Sequence, residues 1–341
     1  MKTKLSILVM ALLFVYQVNA QNVLTVDNTQ GANAQYNSLQ GAISAASAGD
    51  TIYVHASITS YGEVVINKQL TLIGFGHSDT DKLTYISSAN FSSNSSNSKL
   101  SGFYVTGSVY SSSVDQLSGL SIENNYISST LYFGNGGVDN VIIRGNVINA
   151  IGTNNNSQNA YTNTIITNNI ITGALYVYNH DSTTIKNNIF SNTNGSRQIV
   201  NHNSSTGMLT VQNNIIYRHY YSTLGVNSAG VRYEYCLAYN RSSGNLDDLD
   251  GDNNLNNQNP LFVEDNDDAL FSAGDDYHLK LGSPAIGAGA NGVDIGLYDG
   301  TPFIFNNYGY SNGIPTVKIT SITDRVATGE NLSVTINTNA N

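Results

Sequence analysis

The 341-residue chain has little of several residue types that usually stabilise or charge a globular protein. It has no Trp, four Pro and a single cysteine, Cys236, which excludes an intramolecular disulfide framework. Only 11% of its residues are charged, and its net charge is −10. Because nucleic acids and anionic membranes bind basic surfaces, this charge argues against both as partners.

The first 20 residues have the pattern of a secretory signal peptide. Lys2 and Lys4 precede an apolar run over residues 5–15, and small residues precede Gln21. The run is too short to cross a bilayer, and no other stretch approaches 18 apolar residues. The sequence therefore predicts a secreted or cell-surface protein, with signal peptide 1–20 and no transmembrane segment.

A six-residue pattern recurs five times in the middle of the chain. Aliphatic residues flank a central polar pair, whose second member is always Asn. The five copies place this residue at Asn125, Asn146, Asn169, Asn188 and Asn214, and a sixth, degenerate copy has Cys236 there. Repeats with the spacing of these Asn residues indicate a solenoid, because so short a repeating unit must bury its apolar face against its neighbours.

Each repeat indicates a strand, a sharp bend and a second strand. Asn tolerates the left-handed backbone conformation of a tight bend, and its amide can bond to identical positions in the coils above and below. The sequence thus predicts an all-β fold, a right-handed parallel β-helix of about a dozen coils. We expect the second Asn of each pair to form one stack that ends at Cys236, and the solvent-facing first Asn to tolerate substitution.

Both ends of the repeats carry recognisable segments. Residues 37–50 place Leu39, Ala42, Ile43 and Ala46 on one helical face, which predicts a short N-terminal capping α-helix. The block 36–74 resembles the cap of pectate-lyase-like right-handed β-helix proteins. The segments 259–263 and 277–298 are similar to the closing segment of secreted bacterial β-helix proteins, including chondroitinase- and alginate-lyase-type relatives. This resemblance implies the fold and carries over no catalytic residue.

The predicted boundaries follow from these segments. The β-helix domain spans residues 21–300, and the Gly-, Asn- and aromatic-rich stretch 301–313 is a linker. Residues 314–341 alternate like the first two strands of an immunoglobulin-like sandwich, which needs about seven strands, so we interpret them as an incomplete fragment. We expect a monomer.

One surface of the predicted coils is chemically distinctive. Alternation buries aliphatic residues there and turns tyrosines outward, with His and Arg at the strand ends. The candidate substrate-binding residues are Tyr132, Tyr176, Tyr178, His180, Arg197 and His202. Tyr combines a flat apolar ring with a hydroxyl, which suits contact with a sugar. Alternatively, Tyr is simply common on exposed strands.

The run from Asp247 to Asn254 offers alternating oxygen ligands, so Asp248, Asp250 and Asp252 are candidate calcium ligands. Its Gly does not fit EF-hand spacing, and a solvated acidic loop is the alternative. Because Cys236 occupies an Asn position of the repeat, we interpret it as a buried structural thiol.

Three functions remain open at this point. The leading hypothesis is a protein that binds an extended polysaccharide without a recognisable catalytic site. The carboxylate clusters of polysaccharide lyases and the Asp pairs of glycoside hydrolases are not evident in the coils. A lyase or hydrolase with a divergent site is the second hypothesis, and an adhesin or structural stalk module is the third. The sequence predicts no required cofactor other than the candidate calcium.

Overall fold

The computed structural model describes residues 21–134, 136–153, 161–178, 182–192, 198–202, 207–218, 226–242, 246–266, 271–310 and, with short gaps, 315–340. The chain forms an all-β parallel solenoid of about eight turns, which confirms the predicted parallel β-helix. None of the described helices is long and apolar enough to cross a membrane.

In the described part, eleven parallel strands form the first sheet, which we call sheet 1. Its strands are Val23–Val26, Thr51–Val54, Thr71–Gly74, Lys99–Ser101, Ser121–Glu123, Ile142–Arg144, Ile165–Thr167, Thr184–Lys186, Leu209–Gln212, Val231–Glu234 and Gly251–Asp252. Sheet 1 contains the first half of each repeat.

Sheet 2 contains the second half of each repeat, and its described strands are also parallel. They are Glu63–Ile66, Tyr85–Ile86, Ser88–Phe91, Tyr104–Val105, Val109–Ser111, Tyr126–Phe133, Val147–Ile151, Ile170–Ile171, Leu175–Val177, Ile189–Asn192, Ile199–Asn201, Ile215–Arg218, Leu237–Asn240 and Leu255–Asn256. A small third sheet contains Leu117–Ser118, Val138–Asp139 and Tyr161–Thr162.

The interior of the solenoid is filled by aliphatic columns. Strand register places the interior residue of each repeat directly over the next, from Ile122 through Ile143, Ile166 and Ile185 to Val211. All five side chains are buried, as predicted. Burial of each such side chain stabilises the fold by about 1.5–3 kcal/mol.

The predicted capping helix spans Leu39–Ala45. Its N-cap residue, Ser38, accepts a hydrogen bond from the Gly41 amide, which satisfies one of the free donors of the first turn. The apolar face of the helix is buried in the same core as the aliphatic columns, so the helix covers the N-terminal end of the solenoid.

The second Asn of each repeat forms the predicted stack. The side-chain amide of Asn125 donates to Asn146 Oδ1 at 3.1 Å, and the series continues at 3.0 Å per step through Asn169 and Asn188 to Asn214. The Asn214 backbone N–H then donates to Cys236 Sγ at 3.4 Å. The stack does not end there, because the Cys236 backbone N–H donates to Asn254 Oδ1 in the next coil.

An outer layer covers part of sheet 2, on the face that points away from the solenoid interior. The covered column consists of Val147, Ile170, Ile189, Ile215 and Leu237. The residues that pack on this column come from the C-terminal segment: Phe262, Phe271, Tyr277, Ala285, Ile295, Leu297 and Phe305. The prediction of about a dozen coils is therefore wrong, since residues 262–310 lie outside the solenoid and do not add coils to it.

The end of this segment, residues 289–310, forms what we call the C-terminal strap. It runs back along the bend, against the first residue of successive Asn pairs. Asn213 Oδ1 accepts from the Ala290 amide at 2.9 Å, Asn187 donates to Gly296 and Asp299, and Asn168 donates to the Leu297 carbonyl at 2.6 Å. Further along the strap, the Tyr308 carbonyl accepts from the His77 amide. Part of the predicted linker, residues 301–310, thus packs on the solenoid.

The first Asn of each pair therefore does not face solvent, contrary to our expectation. Asn124, Asn168, Asn187 and Asn213 are all buried, with φ between 54° and 56°. In the second repeat the position is taken by Gly145, whose φ is 68°. Only residues that tolerate the left-handed conformation fit this bend well.

Two antiparallel hairpins complete the described elements. Phe262–Glu264 pairs with Asp276–Leu279 within the outer layer, ahead of a short 3-10 turn at Ala290–Gly292. Pro315–Ile322 pairs with Val334–Ala340, where the incomplete sandwich was predicted. Segment 1–20 lies outside the described residues.

Candidate functional site

Aromatic side chains project from the outer face of sheet 2, beside the part that the C-terminal segment covers. Tyr176 and Tyr178 alternate with the buried Leu175 and Val177, so both tyrosines point outward, as predicted. The register pairs Val177 with Asn201, which places His202 one coil away from Tyr178. Strand alternation and register therefore bring the three side chains together.

The ring of His202 stacks on both tyrosines. Its centroid is 4.5 Å from that of Tyr178 and 5.6 Å from that of Tyr176, with the ring planes within 18° of parallel. The His202 backbone amide also donates to the Val177 carbonyl at 3.0 Å. We call Tyr176, Tyr178 and His202 the histidine cluster.

His202 is neutral at pH 7 in this setting. Burial lowers the pKa of its imidazole below the usual value, and Nε2 is buried without a hydrogen-bond partner among the described residues. Within the described part of the chain, ring stacking and not an ion pair therefore holds the side chain in place. A neutral stacked ring suits contact with an uncharged, partly apolar ligand.

Tyr132 lies on the same outer face but in a second cluster. Its ring stacks on that of Tyr110 in the preceding coil, with centroids 5.5 Å apart and planes 13° from parallel. Between Tyr132 and Tyr176 along the column comes Gly152, with a φ of 75°. A Cβ at Gly152 would lie 2.3 Å from the Tyr176 carbonyl oxygen, so a glycine is required here.

Tyr110 was missed in the sequence analysis, which began the aromatic surface at Tyr132. Tyr110 follows Val109 and precedes Ser111 in a strand with the same alternation as Leu131-Tyr132-Phe133, and this alternation was the available signal. We call the surface made by Tyr110, Tyr132 and the histidine cluster the outer tyrosine face. The other two candidates, His180 and Arg197, lie outside the described residues.

The outer tyrosine face carries little charge. Its strands Val109–Ser111, Tyr126–Phe133, Leu175–Val177 and Ile199–Asn201 contain no Lys or Arg. Among the described residues, the carboxylate of Glu63 contacts the face and accepts a hydrogen bond from the Tyr110 hydroxyl at 3.0 Å. The described part of the face is therefore neutral to weakly acidic, which favours uncharged ligands.

The acidic run lies on the last coil, away from this face. Asp248, Asp250 and Asp252 are all exposed, and Arg232 forms an ion pair with Asp252. Asn227 binds the backbone of the same segment, through the Asp248 carbonyl and the Asp250 amide. Within the described residues, no three His, Cys, Asp or Glu side chains are grouped so that they could hold a metal ion.

Two other reactive groups serve the fold. Cys236 is fully buried, and burial raises the pKa of its thiol to about 12, so the thiol is protonated and non-nucleophilic at neutral pH. Glu123 forms ion pairs with Lys99 at 2.6 Å and Arg144 at 2.9 Å. Burial alone would raise the pKa of Glu123, but the hydrogen bonds from Lys99 and Ser121 and the two cations outweigh it and lower that pKa.

Comparison with protein-family models, with curated proteins and with solved structures finds no match to this chain. Its function must therefore be argued from the geometry of its surfaces.

Proposed function

We propose that this protein binds an extended, neutral polysaccharide along the outer tyrosine face. The observation that carries the proposal is the in-register set of partly exposed rings, Tyr110 on Tyr132 and His202 on Tyr176 and Tyr178. Rings held by strand register are ordered before a ligand arrives, so little side-chain entropy is lost on binding. An array of such rings along a solenoid matches a polymeric ligand better than a small one.

The charge of the face supports a neutral glycan. With Glu63 at one end, a net charge of −10 and no cation on the aromatic strands, an acidic polymer would be repelled. Phenol hydroxyls and ring faces supply hydrogen bonds and apolar contacts, which are the two interactions that a neutral sugar offers. Catalysis is not part of the proposal.

Resemblance of the end segments to pectate-lyase-like proteins supports an extended polysaccharide as the ligand, but not its neutral charge. In this proposal the coils wind to the right, segment 1–20 is removed on secretion, and the protein acts as a monomer outside the cell. N-terminal sequencing of protein recovered from the medium would test the secretion step. A mature chain that still begins at Met1 would contradict it.

A second candidate function, an adhesin or stalk module, is favoured by the C-terminal hairpin. Val334 and Ile336 are both exposed on the strand Val334–Ala340, so this sheet offers apolar side chains to a further layer. A sandwich domain that extends the solenoid into a longer surface structure would pack its second sheet on these apolar side chains.

Calorimetric titration with neutral and uronic-acid oligosaccharides tests the leading proposal. The Tyr176→Ala protein should lose about tenfold in affinity for the neutral ligand, while its Tm stays nearly unchanged because the ring is half exposed. Tyr53→Ala, a half-exposed tyrosine of sheet 1, is the matched control. Equal affinity of all three proteins would refute the site, and an ultraviolet signal from unsaturated products would favour a lyase instead.

A further inference from the structure

Three side chains follow one another along the outer tyrosine face toward the N-terminal end. Strand register places Asn90 opposite Tyr110, and Tyr110 opposite Tyr132, so they occupy the same column in three consecutive coils. All three are half exposed. The column therefore offers an amide and two phenols within about 10 Å, at ~4.8 Å per coil.

A carboxylate is held over the same strands. Glu63 belongs to the coil before Asn90, and its Oε1 accepts from the Tyr110 hydroxyl at 3.0 Å. Because their strands lie on opposite sides of Ser88–Phe91, this bond must pass over that strand, where Asn90 stands. Tyr110 thus leans along the solenoid axis toward Glu63, which lies on the strand next to the one that carries Asn90.

The hydrogen bonds leave specific groups available. Asn90 Oδ1 accepts from the Ser112 backbone amide at 3.1 Å, which orients the side chain and leaves its NH2 group with no partner among the described residues. Glu63 uses one oxygen for Tyr110, and the other carboxylate oxygen has no partner in the described part of the chain. An oriented acceptor and an oriented donor on neighbouring strands are complementary to two neighbouring hydroxyl groups, one donating and one accepting.

We infer that Glu63, Asn90, Tyr110 and Tyr132 form a separate sugar subsite, specific for a neutral hexose with two adjacent hydroxyl groups. One hydroxyl donates to the free Glu63 oxygen and its neighbour accepts from the Asn90 amide, while the parallel phenol rings contact the sugar ring. The subsite rests on the proposed glycan-binding function and names its specificity. Tyr132, the end of the subsite nearest the histidine cluster, lies two coils from Tyr176, about 10 Å, so a single oligosaccharide can reach both the subsite and the cluster.

Neutral specificity follows from the carboxylate. A uronic acid would bring a second negative charge next to Glu63, and no Lys or Arg lies on the strands Glu63–Ile66 or Ser88–Phe91 to compensate for it. Burial and the Glu63 hydrogen bond also raise the pKa of Tyr110, so its hydroxyl stays protonated and keeps the carboxylate in position.

The test compares neutral β-linked hexasaccharides and an acidic uronic-acid hexamer by calorimetry, with the full chain. Glu63→Gln and Asn90→Ala should each weaken binding of the neutral hexamer by about tenfold, because Glu63→Gln replaces a charged acceptor with a neutral amide and Asn90→Ala removes a donor. Glu63→Gln should also reduce the preference for the neutral over the acidic hexamer. Because Glu63 is exposed and Asn90 half exposed, Tm should change little.

The outcomes separate the subsite from the proposed function. Loss of affinity in Tyr176→Ala but in neither Glu63→Gln nor Asn90→Ala overturns the subsite and leaves the glycan-binding proposal standing. Loss in Glu63→Gln and Asn90→Ala but not in Tyr53→Ala supports the subsite. If the unmodified protein binds neither hexamer, both the proposed function and the subsite are refuted.

Discussion

Replacement of Asn169 by Leu tests the Asn stack where it is most continuous. Asn169 is fully buried, and its Oδ1 accepts from both the backbone N–H and the side-chain amide of Asn146, each at 3.0 Å. Its own amide donates to the Ile143 carbonyl at 2.9 Å and to Asn188 Oδ1 at 3.0 Å. Leu branches at Cγ as Asn does, but it is larger and forms none of these bonds.

The expected cost can be worked from the groups that lose partners. The Asn146 backbone N–H loses its acceptor inside a closed stack, and an unsatisfied buried donor costs about 1–3 kcal/mol. Asn188 Oδ1 keeps the bond from the Asn169 backbone N–H, so it is not orphaned. With the lost amide bonds included, we expect the free energy of unfolding to fall by about 3 kcal/mol.

Urea-induced unfolding followed by circular dichroism would measure this loss. Asn149→Leu is the matched control, because Asn149 is exposed on the outer face of a sheet 2 strand. We expect the midpoint of Asn149→Leu to stay close to that of the unmodified protein. If Asn169→Leu unfolds at the same urea concentration as Asn149→Leu, the side-chain bonds of the stack do not stabilise the solenoid and the reasoning is refuted.

Three further predictions concern the same architecture. Cys236→Asn should raise the free energy of unfolding by about 1 kcal/mol relative to Cys236→Ala, because an amide oxygen can replace the weak thiol as the acceptor for the Asn214 backbone N–H, while the backbone bond from residue 236 to Asn254 is kept in both variants; equal midpoints would contradict this. Asn168→Gly keeps the left-handed bend but removes the bond to the strap, so it should lower stability by about 1–2 kcal/mol and speed proteolysis of the strap. Asn163→Gly, at an exposed residue, is its control, and identical proteolysis rates would show that Asn168 does not hold the C-terminal strap. Burial lowers the pKa of His77 from 6.5 to about 3, so unfolding takes up a proton between these values, and stability should fall by about 1.4 kcal/mol per unit as pH drops from 6.5 toward 3. His77→Phe should remove this part of the slope in urea titrations at several pH values, and an unchanged slope would exclude His77 as its source.

The repeat made much of the solenoid predictable. The positions of the interior column and of the Asn stack follow from a pattern that each coil repeats. Five copies of this pattern are therefore enough to predict the strand register from Ile122 to Asn214. The continuation of the stack to Asn254 was missed because the last coil has Gly251 where the earlier ones have an aliphatic residue or Tyr233. Without an apolar residue at this position, the interval from Cys236 to Asn254 no longer shows the repeat pattern.

The strap could not be predicted in the same way, because it is not periodic. The bonds that hold it join residues more than 70 positions apart, such as Asn168 and Leu297. A signal for a cover was present in the repeats, since Val147-Ile148, Ile170-Ile171 and Ile215-Ile216 are apolar at both of two successive positions. A strand with successive apolar residues is typical of a sheet buried on both faces.

The outward-facing residues of sheet 2 explain why the candidate site lies where it does. In the coils from Val147 to Leu237, the outward position just after the bend in sheet 2 is Val, Ile or Leu and lies under the C-terminal segment. A few residues further on, the outward position is Asn90, Tyr110, Tyr132 or Tyr176, and no described residue of that segment belongs to a ring contact there. Tyr126 marks the boundary, since its ring stacks on Tyr104 at 4.9 Å and also meets Phe271 of the cover. The residue type at each outward position thus distinguishes the half of the sheet that the protein covers with its own chain from the half that it leaves open to a ligand.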